Sequence, residues 1–203
     1  MWDRHYCPTF TARLGPLADR INAFASYVRD LGARVIHCPS GTVDTHYVDW
    51  PQRQRIALGD QTPEPMIPVS TPLSYHGECL CDVTCQPGDN GAKQHDAIRI
   101  DQEDVITDRG NEVRQFLETA EVTSVLMTGV ALNMCVVSRP FGIASLVAHG
   151  ITVRVVGDLV DVLYSPSQSP YLDLDAARWF VLGYIHATLC PAVTVKSICE
   201  SAS

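Results

Sequence analysis

The sequence predicts an α/β fold in which a doubly wound, mostly parallel sheet lies between two layers of helices. Two observations support this prediction. Segments with strand character alternate with segments of helical periodicity along most of the 203 residues. The strand segments are also apolar almost throughout, as is typical of parallel strands that helices cover on both faces. We therefore expect a three-layer α/β/α sandwich made by one domain over residues 1–203.

The first half of the chain is predicted to contain a long helix, a short strand and a long loop. Apolar residues recur at helical spacing from Leu14 to Leu31, and Gly32 follows where a helix C-cap is expected. Residues 34–38 form a strand-like run that a Pro-Ser-Gly segment ends. Residues 59–96 contain five prolines and no sustained period, which predicts a long loop inserted into the domain.

The second half of the chain alternates regularly between strand and helix. The predicted elements are strand 97–100, helix 109–120, strand 124–130, helix 133–149, strand 151–156, helix 173–189 and strand 192–195. Gly157 and Asp158 are expected to end the strand that precedes them. With the strand at 34–38, these segments predict five strands of a mostly parallel sheet that would have about six strands when complete.

Composition argues against several classes of function. The formal net charge is −8 and aromatic residues make up 7% of the chain, so neither a basic surface nor a base-stacking platform is indicated. No apolar run approaches the roughly 18–20 residues that cross a bilayer. The first ten residues lack the apolar core of a signal peptide. We expect a cytoplasmic protein with a small-molecule substrate, and neither a nucleic-acid nor a membrane partner.

The chain has eight cysteines, and one of them has a context that points to chemistry. They are Cys7, Cys38, Cys79, Cys81, Cys85, Cys135, Cys190 and Cys199. A chain of this length does not need a disulfide framework, so most of them are expected to be small buried side chains. The close spacing of Cys79, Cys81 and Cys85 could bind a soft metal, form a disulfide in an exported protein, or be incidental to the loop.

Cys135 lies where a doubly wound sheet places its ligands. The loop 129–135 connects a buried strand to a predicted helix, and ligands of such sheets bind beyond the carboxyl ends of the strands. A cysteine at a helix start gains from the peptide dipoles, which favour the thiolate, and from N–H groups that can receive an oxyanion. Cys135 is therefore a candidate nucleophile for acyl carbon. The alternative is a thiol that packs against the strand.

The segment TGVALNMCVVSRPFG, residues 128–142, resembles the nucleophile motif of the isochorismatase-like family. This family includes nicotinamidases, carbamoylases and ureidoacrylate amidohydrolases. Further segments resemble the family in the same order: MWDRHYC, RVIHCPSGT, residues 104–150, VVGDLVDVLYSP and LCPAVTV. The resemblance covers most of the chain outside the long loop and implies an isochorismatase-like cysteine hydrolase.

The resemblance implies a catalytic triad of Asp, Lys and Cys that cleaves a C–N bond of a small amide or related molecule. Cys135 would attack the carbon, and the N–H groups of Ala131 and Cys135 would form the oxyanion hole, aimed by a cis peptide bond at Val130–Ala131. Lys93 and Lys196 are the two lysines of the chain, and Lys93 precedes the segment that corresponds to the family's catalytic lysine. A solvated loop lysine is the alternative. No cofactor is implied, and family members commonly form homo-oligomers.

The third member of the triad has no direct match in this sequence. The family aspartate ends a central first strand and would be the residue before Met1, so we expect residues 34–38 and 124–130 to face an unfilled slot. Asp3 is a weak stand-in for this aspartate. Two alternatives remain: a catalytically impaired member that acts as a binding or assembly module, and a thiol-based redox or metal-binding protein.

One further motif contains side chains that could bind a metal ion. The sequence Asp44-Thr45-His46 is similar to the Asp-x-His of metal-binding nicotinamidases, which would need a third ligand such as His76 or His95. Since nothing in the sequence fixes that ligand, a polar loop is the preferred interpretation. We predict no metal.

Overall fold

The protein has an α/β fold with parallel strands, as the sequence predicts. The computed structural model describes residues 1–57, 64–73, 81, 85 and 92–201. The helices are α1 (Pro8–Asp30), α2 (Val43–His46), α3 (Pro51–Gln54), α4 (Gly110–Thr119), α5 (Ile143–Ala148), α6 (Leu174–Thr188) and α7 (Val195–Ser201). The strands are β1 (Ile36–His37), β2 (Val105–Ile106), β3 (Ser124–Val130), β4 (Thr152–Asp161) and β5 (Ala192–Val193), and a π-helical turn spans Leu132–Val136.

The strands form two parallel sheets rather than one. One sheet has the order β1-β2 and the other the order β3-β4-β5. In the second sheet Ser124 aligns with Thr152, but the register shifts after Met127, so that Gly129 aligns with Val160. Gly129 has a φ of 130°, a conformation that side-chain-bearing residues avoid, so a glycine suits this irregular point of the ladder.

Helix α1 covers one face of the β3-β4-β5 sheet. It begins with Pro8 in its first turn, where the missing N–H of proline costs no hydrogen bond. Its buried face includes Leu17, Ile21 and Phe24, which pack in one cluster with Val156 of β4. A larger cluster joins side chains of α4, α5 and α6 to β4. The apolar residues that recur at helical spacing in the sequence are therefore the ones that contact the sheet.

Two predicted elements are wrong in position or extent. Residues 97–100 form a turn rather than a strand, and the partner of β1 is instead Val105–Ile106. The helix predicted over 133–149 is broken around Pro140, since proline has no N–H and disfavours a helical residue before it. The π-helical turn and α5 lie on either side of the break.

The C-terminal part also differs from the prediction. Strand β4 does not end at Gly157 and Asp158 but continues to Asp161. Asp158 accepts a hydrogen bond from the N–H of Val195, which begins the short helix α7 that the sequence did not predict. No helix within the described ranges is both long and apolar enough to span a bilayer. Part of the predicted loop 59–96 lies outside the described residues.

Candidate active site

A cavity of about 840 Å³ separates the two sheets. Residues 34–38, which include β1, form one wall, and β3 forms the other, while α1 contributes Phe24, Ala25 and Val28. Within the described residues, no ladder joins β1 to β3. This confirms the predicted slot between residues 34–38 and 124–130. The slot runs along all of β3 and reaches Cys135 beyond its carboxyl end.

Cys135 sits in the π-helical turn that follows β3. The turn starts from Ala131, whose φ of 56° is left-handed, and the N–H of Val136 donates to the Ala131 carbonyl at 3.1 Å. Cys135 is partly buried, lines the cavity, and packs against an apolar cluster that contains Cys7 and Phe10. The structure therefore places the predicted nucleophile at the carboxyl end of a parallel strand, where a small molecule can reach it.

The peptide bond Val130–Ala131 is trans, so the predicted cis bond is wrong. Ser169–Pro170 is the cis bond recorded among the described residues. The left-handed conformation of Ala131 makes the sharp turn after β3 instead. The assignment of the Ala131 and Cys135 N–H groups as an oxyanion hole stays a prediction.

Asn133 holds the Cys135 turn in place, and the sequence analysis missed this residue. Its buried side chain donates to the carbonyls of Leu73 at 2.6 Å and Leu163 at 3.1 Å, and its Oδ1 accepts from the Leu163 N–H at 2.9 Å. The hydroxyl of Thr71 donates to the Asn133 carbonyl at 3.1 Å. Two separate segments, 71–73 and the one that contains Leu163, therefore meet at the residue two positions before Cys135. An asparagine beside a candidate nucleophile was the available sequence signal.

Asp3 and Lys93 are brought together by their backbones. The N–H of Asp3 donates to the Lys93 carbonyl at 2.8 Å, and the N–H of Lys93 donates to Asp3 Oδ1 at 3.0 Å. The Lys93 ammonium group and the second carboxylate oxygen of Asp3 have other partners. Lys93 Nζ lies 2.6 Å from Asp96, while Arg4 donates to Asp3. Burial opposes ionisation of Asp3, but hydrogen bonds from Arg4 and Lys93 outweigh it and lower the pKa of this carboxyl.

No recorded contact joins Cys135 to Asp3 or Lys93, but the three residues lie on connected segments. The bridge between Trp2 and Gln94 continues the pairing of Asp3 with Lys93, and the carbonyl of Met1 accepts from the N–H of His95 at 3.0 Å. Met1 then packs against the same apolar cluster as Cys135. The roles of Asp3 and Lys93 in catalysis stay predictions.

A buried polar chain supports the β1 wall of the cavity. His37 Nε2 lies 2.8 Å from Asp104, and Arg29 donates to the same carboxylate. The Gln94 side-chain nitrogen contacts the other ring nitrogen of His37, and the main-chain N–H of Gln94 donates to the Tyr47 hydroxyl at 2.8 Å. Burial lowers the pKa of His37, and the hydrogen bond to Asp104 opposes this only in part. Burial would raise the pKa of Asp104, but its bonds to His37 and Arg29 lower it.

A second thiol in the cavity wall is a poor nucleophile. Cys38 follows β1 and lines the cavity, as Cys135 does. Burial raises the pKa of the Cys38 thiol to about 12. Because the thiolate is the reactive form, this raised pKa makes Cys38 a weaker nucleophile near neutral pH than an ordinary thiol. Cys38 therefore serves as a reference for the reactivity of Cys135, since both thiols line the same cavity.

Two of the residues weighed for a metal site, Asp44 and His95, have other partners, and two more lie outside the described residues. Both carboxylate oxygens of Asp44 accept from Arg109 Nη2 at 2.8 Å. His95 Nδ1 accepts from the N–H of Ala97 at 3.2 Å. His76 and Cys79 fall outside the described residues. Across the described ranges, no three His, Cys, Asp or Glu side chains come together as a metal-binding group.

The fold and site together define an α/β protein with a cysteine at the end of a parallel strand beside a cavity. No family model and no curated protein matches the sequence. Among solved structures, the chain is similar to a cysteine hydrolase from Pseudomonas syringae pv. phaseolicola 1448A, with a TM-score of 0.43 and 17% sequence identity. That match covers 53% of this chain and 55% of the other, so it extends over about half of each.

Proposed function

We propose that the protein is an isochorismatase-like cysteine hydrolase that cleaves a C–N bond of a small amide through a covalent intermediate on Cys135. One observation supports this most directly. The Cys135 thiol lies on the turn after β3 and opens to a cavity large enough for a small molecule. The three-layer α/β/α arrangement, the homo-oligomer and the cytoplasmic location belong to the same proposal.

The proposed reaction has two steps. The Cys135 sulfur attacks the carbonyl carbon and forms a C–S bond, while N–H groups of the turn, those of Ala131 and Cys135, receive the oxyanion. The C–N bond then breaks, and the thiol proton passes to the departing nitrogen. Water next attacks the thioester, which releases the carboxylic acid and restores the thiol. Neither step requires a cofactor.

Asp3 and Lys93 are the proposed partners of Cys135. Asp3 would move the proton, and the positive charge of Lys93 would favour the thiolate. The Lys93 side chain pairs with Asp96 and is 38% exposed, so it must turn away from Asp96 to approach the cavity. Rotation of an exposed lysine side chain is fast and inexpensive on the scale of catalysis.

A second candidate function is a catalytically impaired member of this class that acts as a binding or assembly module. The ion pair between Lys93 and Asp96 favours this alternative, and so does the pairing of Asp3 with Arg4. In this arrangement both predicted partners of Cys135 are engaged elsewhere. The cavity could still hold a small apolar molecule without hydrolysing it.

The test is a screen of small primary amides, N-carbamoyl compounds and nicotinamide, with ammonia release as the readout. The unchanged protein is compared with Cys135→Ser and with the matched control Cys199→Ser, which changes a thiol on α7. We expect turnover by the unchanged protein and the control, and none by Cys135→Ser. Unchanged turnover in Cys135→Ser would end the nucleophile assignment.

The binding alternative is separated by measuring affinity beside turnover. If calorimetry detects binding of a compound that no form of the protein hydrolyses, the second candidate is favoured. The rate of alkylation by iodoacetamide independently measures the reactivity of each thiol. Cys135 is expected to react before Cys38, whose raised pKa keeps it protonated.

A further inference from the structure

Two cysteines that are distant in the sequence meet at the start of α1. The sulfur atoms of Cys7 and Cys81 are 3.6 Å apart, and the Thr9 hydroxyl lies 3.0 Å from the Cys81 sulfur. Cys7 is fully buried and is the residue from which α1 begins, while Cys81 is partly exposed. The two thiols thus differ in their access to solvent.

We propose that Cys7 and Cys81 are a reversible disulfide pair. A disulfide has a sulfur–sulfur distance of about 2.0 Å, so the two atoms need to approach by about 1.6 Å. The partly exposed position of Cys81 lets it move toward Cys7, whereas Cys7 is held by the first turn of a 23-residue helix.

Glutathione disulfide is the proposed oxidant, because the partly exposed Cys81 can react with a disulfide in solution. The Cys81 thiolate attacks one sulfur of the oxidant, which breaks its S–S bond and releases one glutathione thiolate. The Cys7 thiolate then attacks the Cys81 sulfur of the mixed disulfide and releases the second glutathione. Two protein thiols are oxidised, one glutathione disulfide is reduced to two glutathione molecules, and the two thiol protons go to the departing thiolates.

The pair lies beside Cys135. Cys7 belongs to the apolar cluster against which Cys81, Met134 and Cys135 all pack. A bond between residues 7 and 81 closes a long loop of chain and fixes residue 81 against this cluster, which raises stability by restricting the unfolded chain. The inference does not depend on the proposed hydrolysis, since it concerns two other thiols.

The test is oxidation of the full chain with glutathione disulfide, followed by alkylation, proteolysis and mass spectrometry. We expect a cross-linked pair of peptides that contain Cys7 and Cys81, with the loss of two hydrogen atoms. In Cys7→Ser, Cys81 should instead retain one glutathione, because the second thiolate is absent. The control Cys190→Ser, which changes a different buried thiol, should keep the cross-link.

Thermal unfolding provides a second reading that does not depend on one variant. The oxidised protein should unfold several degrees above the reduced protein, and Cys7→Ser and Cys81→Ser should both lose this difference. The proposal is overturned if Cys81 is found linked to another cysteine, or if Cys7 and Cys81 both remain alkylatable after oxidation of the folded protein.

Discussion

Asp3 and Lys93 share two hydrogen bonds, one between their main chains at 2.8 Å and one from the Lys93 N–H to the Asp3 carboxylate at 3.0 Å. The Asp3 carboxylate therefore has a structural role in addition to the catalytic role proposed for it. A substitution that keeps the acceptor but removes the charge separates the two roles.

Asp3→Asn retains a side-chain oxygen that can accept the Lys93 N–H, so we expect a folded protein. If Asp3 moves the proton in the proposed reaction, kcat/KM should fall by about 10²–10⁴-fold, the usual contribution of a general acid or base. Lys93→Met should also lower it, and the matched control Lys196→Met, on α7 and 84% exposed in its side chain, should not. Steady-state kinetics on an amide found by the screen gives the result. Wild-type kcat/KM in both Asp3→Asn and Lys93→Met would remove these residues from the mechanism.

The ion pair between Arg53 and Glu112 is expected to control stability rather than activity. Arg53 donates to both carboxylate oxygens, at 2.7 and 2.9 Å, and Glu112 is fully buried. Arg53→Met leaves a buried carboxylate without its main partner, which should cost about 3–5 kcal/mol of unfolding free energy. Urea unfolding followed by circular dichroism measures this loss.

Two further variants establish the cause of that loss. Arg53→Met combined with Glu112→Leu removes both charges and should be more stable than Arg53→Met alone, since the buried carboxylate that lost its bidentate partner is then also removed. Arg114→Met breaks a more exposed pair with Glu64 and should cost about 0–1 kcal/mol. Equal losses in Arg53→Met and Arg114→Met would contradict the assigned role of burial.

His37 should make stability depend on pH below neutrality. Burial lowers the pKa of the folded histidine, so between that value and the unfolded pKa of about 6.5 the unfolded chain binds more protons. Stability is therefore complete above about pH 6.5 and falls as the pH decreases through the folded pKa. The lowered pKa of Asp104 acts in a separate window, below about pH 4.

Thermal unfolding between pH 5 and 7 tests this dependence. His37→Gln should have a lower melting temperature at pH 7, since it disturbs the contact with Asp104, but a flatter profile between pH 5 and 7. His46→Gln changes a partly exposed histidine on α2 and should keep the profile of the unchanged protein. An equally steep profile in His37→Gln would assign the acid sensitivity to other groups.

The cavity should tolerate a larger side chain on the helix that lines it. Ala25 of α1 faces the cavity, so Ala25→Leu adds apolar contacts in open space and should raise stability by about 0.5–2 kcal/mol. Ala18 is fully buried on the same helix and does not line the cavity, so Ala18→Leu should cost about 1–3 kcal/mol by overpacking. Urea unfolding of the pair gives the sign of each change. A loss of stability in Ala25→Leu as large as that in Ala18→Leu would mean that the cavity is not available space.

Local pattern was sufficient for three elements with a clear helical period or a continuous apolar run. The α4 helix, β3 and α6 lie within one residue of their predicted bounds, because their period and length leave few alternatives. The short strand β2 was missed, since Val105 and Ile106 become a strand only through pairing with Ile36 and His37. Two paired residues do not produce a period that a sequence window can detect.

The position of Cys135 in the fold was predicted, but the construction of the turn around it was not. Cys135 lies beyond β3, where the alternation of strand and helix placed it, and the slot beside β3 is present. The left-handed turn at Ala131 and the hydrogen bonds of Asn133 depend on distant segments, including Leu73 and Leu163. Such long-range contacts have no local signature. The meeting of Cys7 with Cys81 was unpredicted for the same reason.

Because the strands form two separate sheets, β3, the strand that leads to Cys135, is hydrogen-bonded to a described strand along one of its two edges. Among the described strands, β3 pairs with β4 alone, whereas β4 has a partner on both sides at Val155. Alternate amides of a strand point to opposite sides, so every second amide of β3 faces the cavity rather than a neighbouring carbonyl. In deuterated solvent, those amides should exchange well before that of Val155, which donates to the Pro191 carbonyl. Isotope exchange along β3 would thus follow, residue by residue, how firmly the backbone that leads to Cys135 is held.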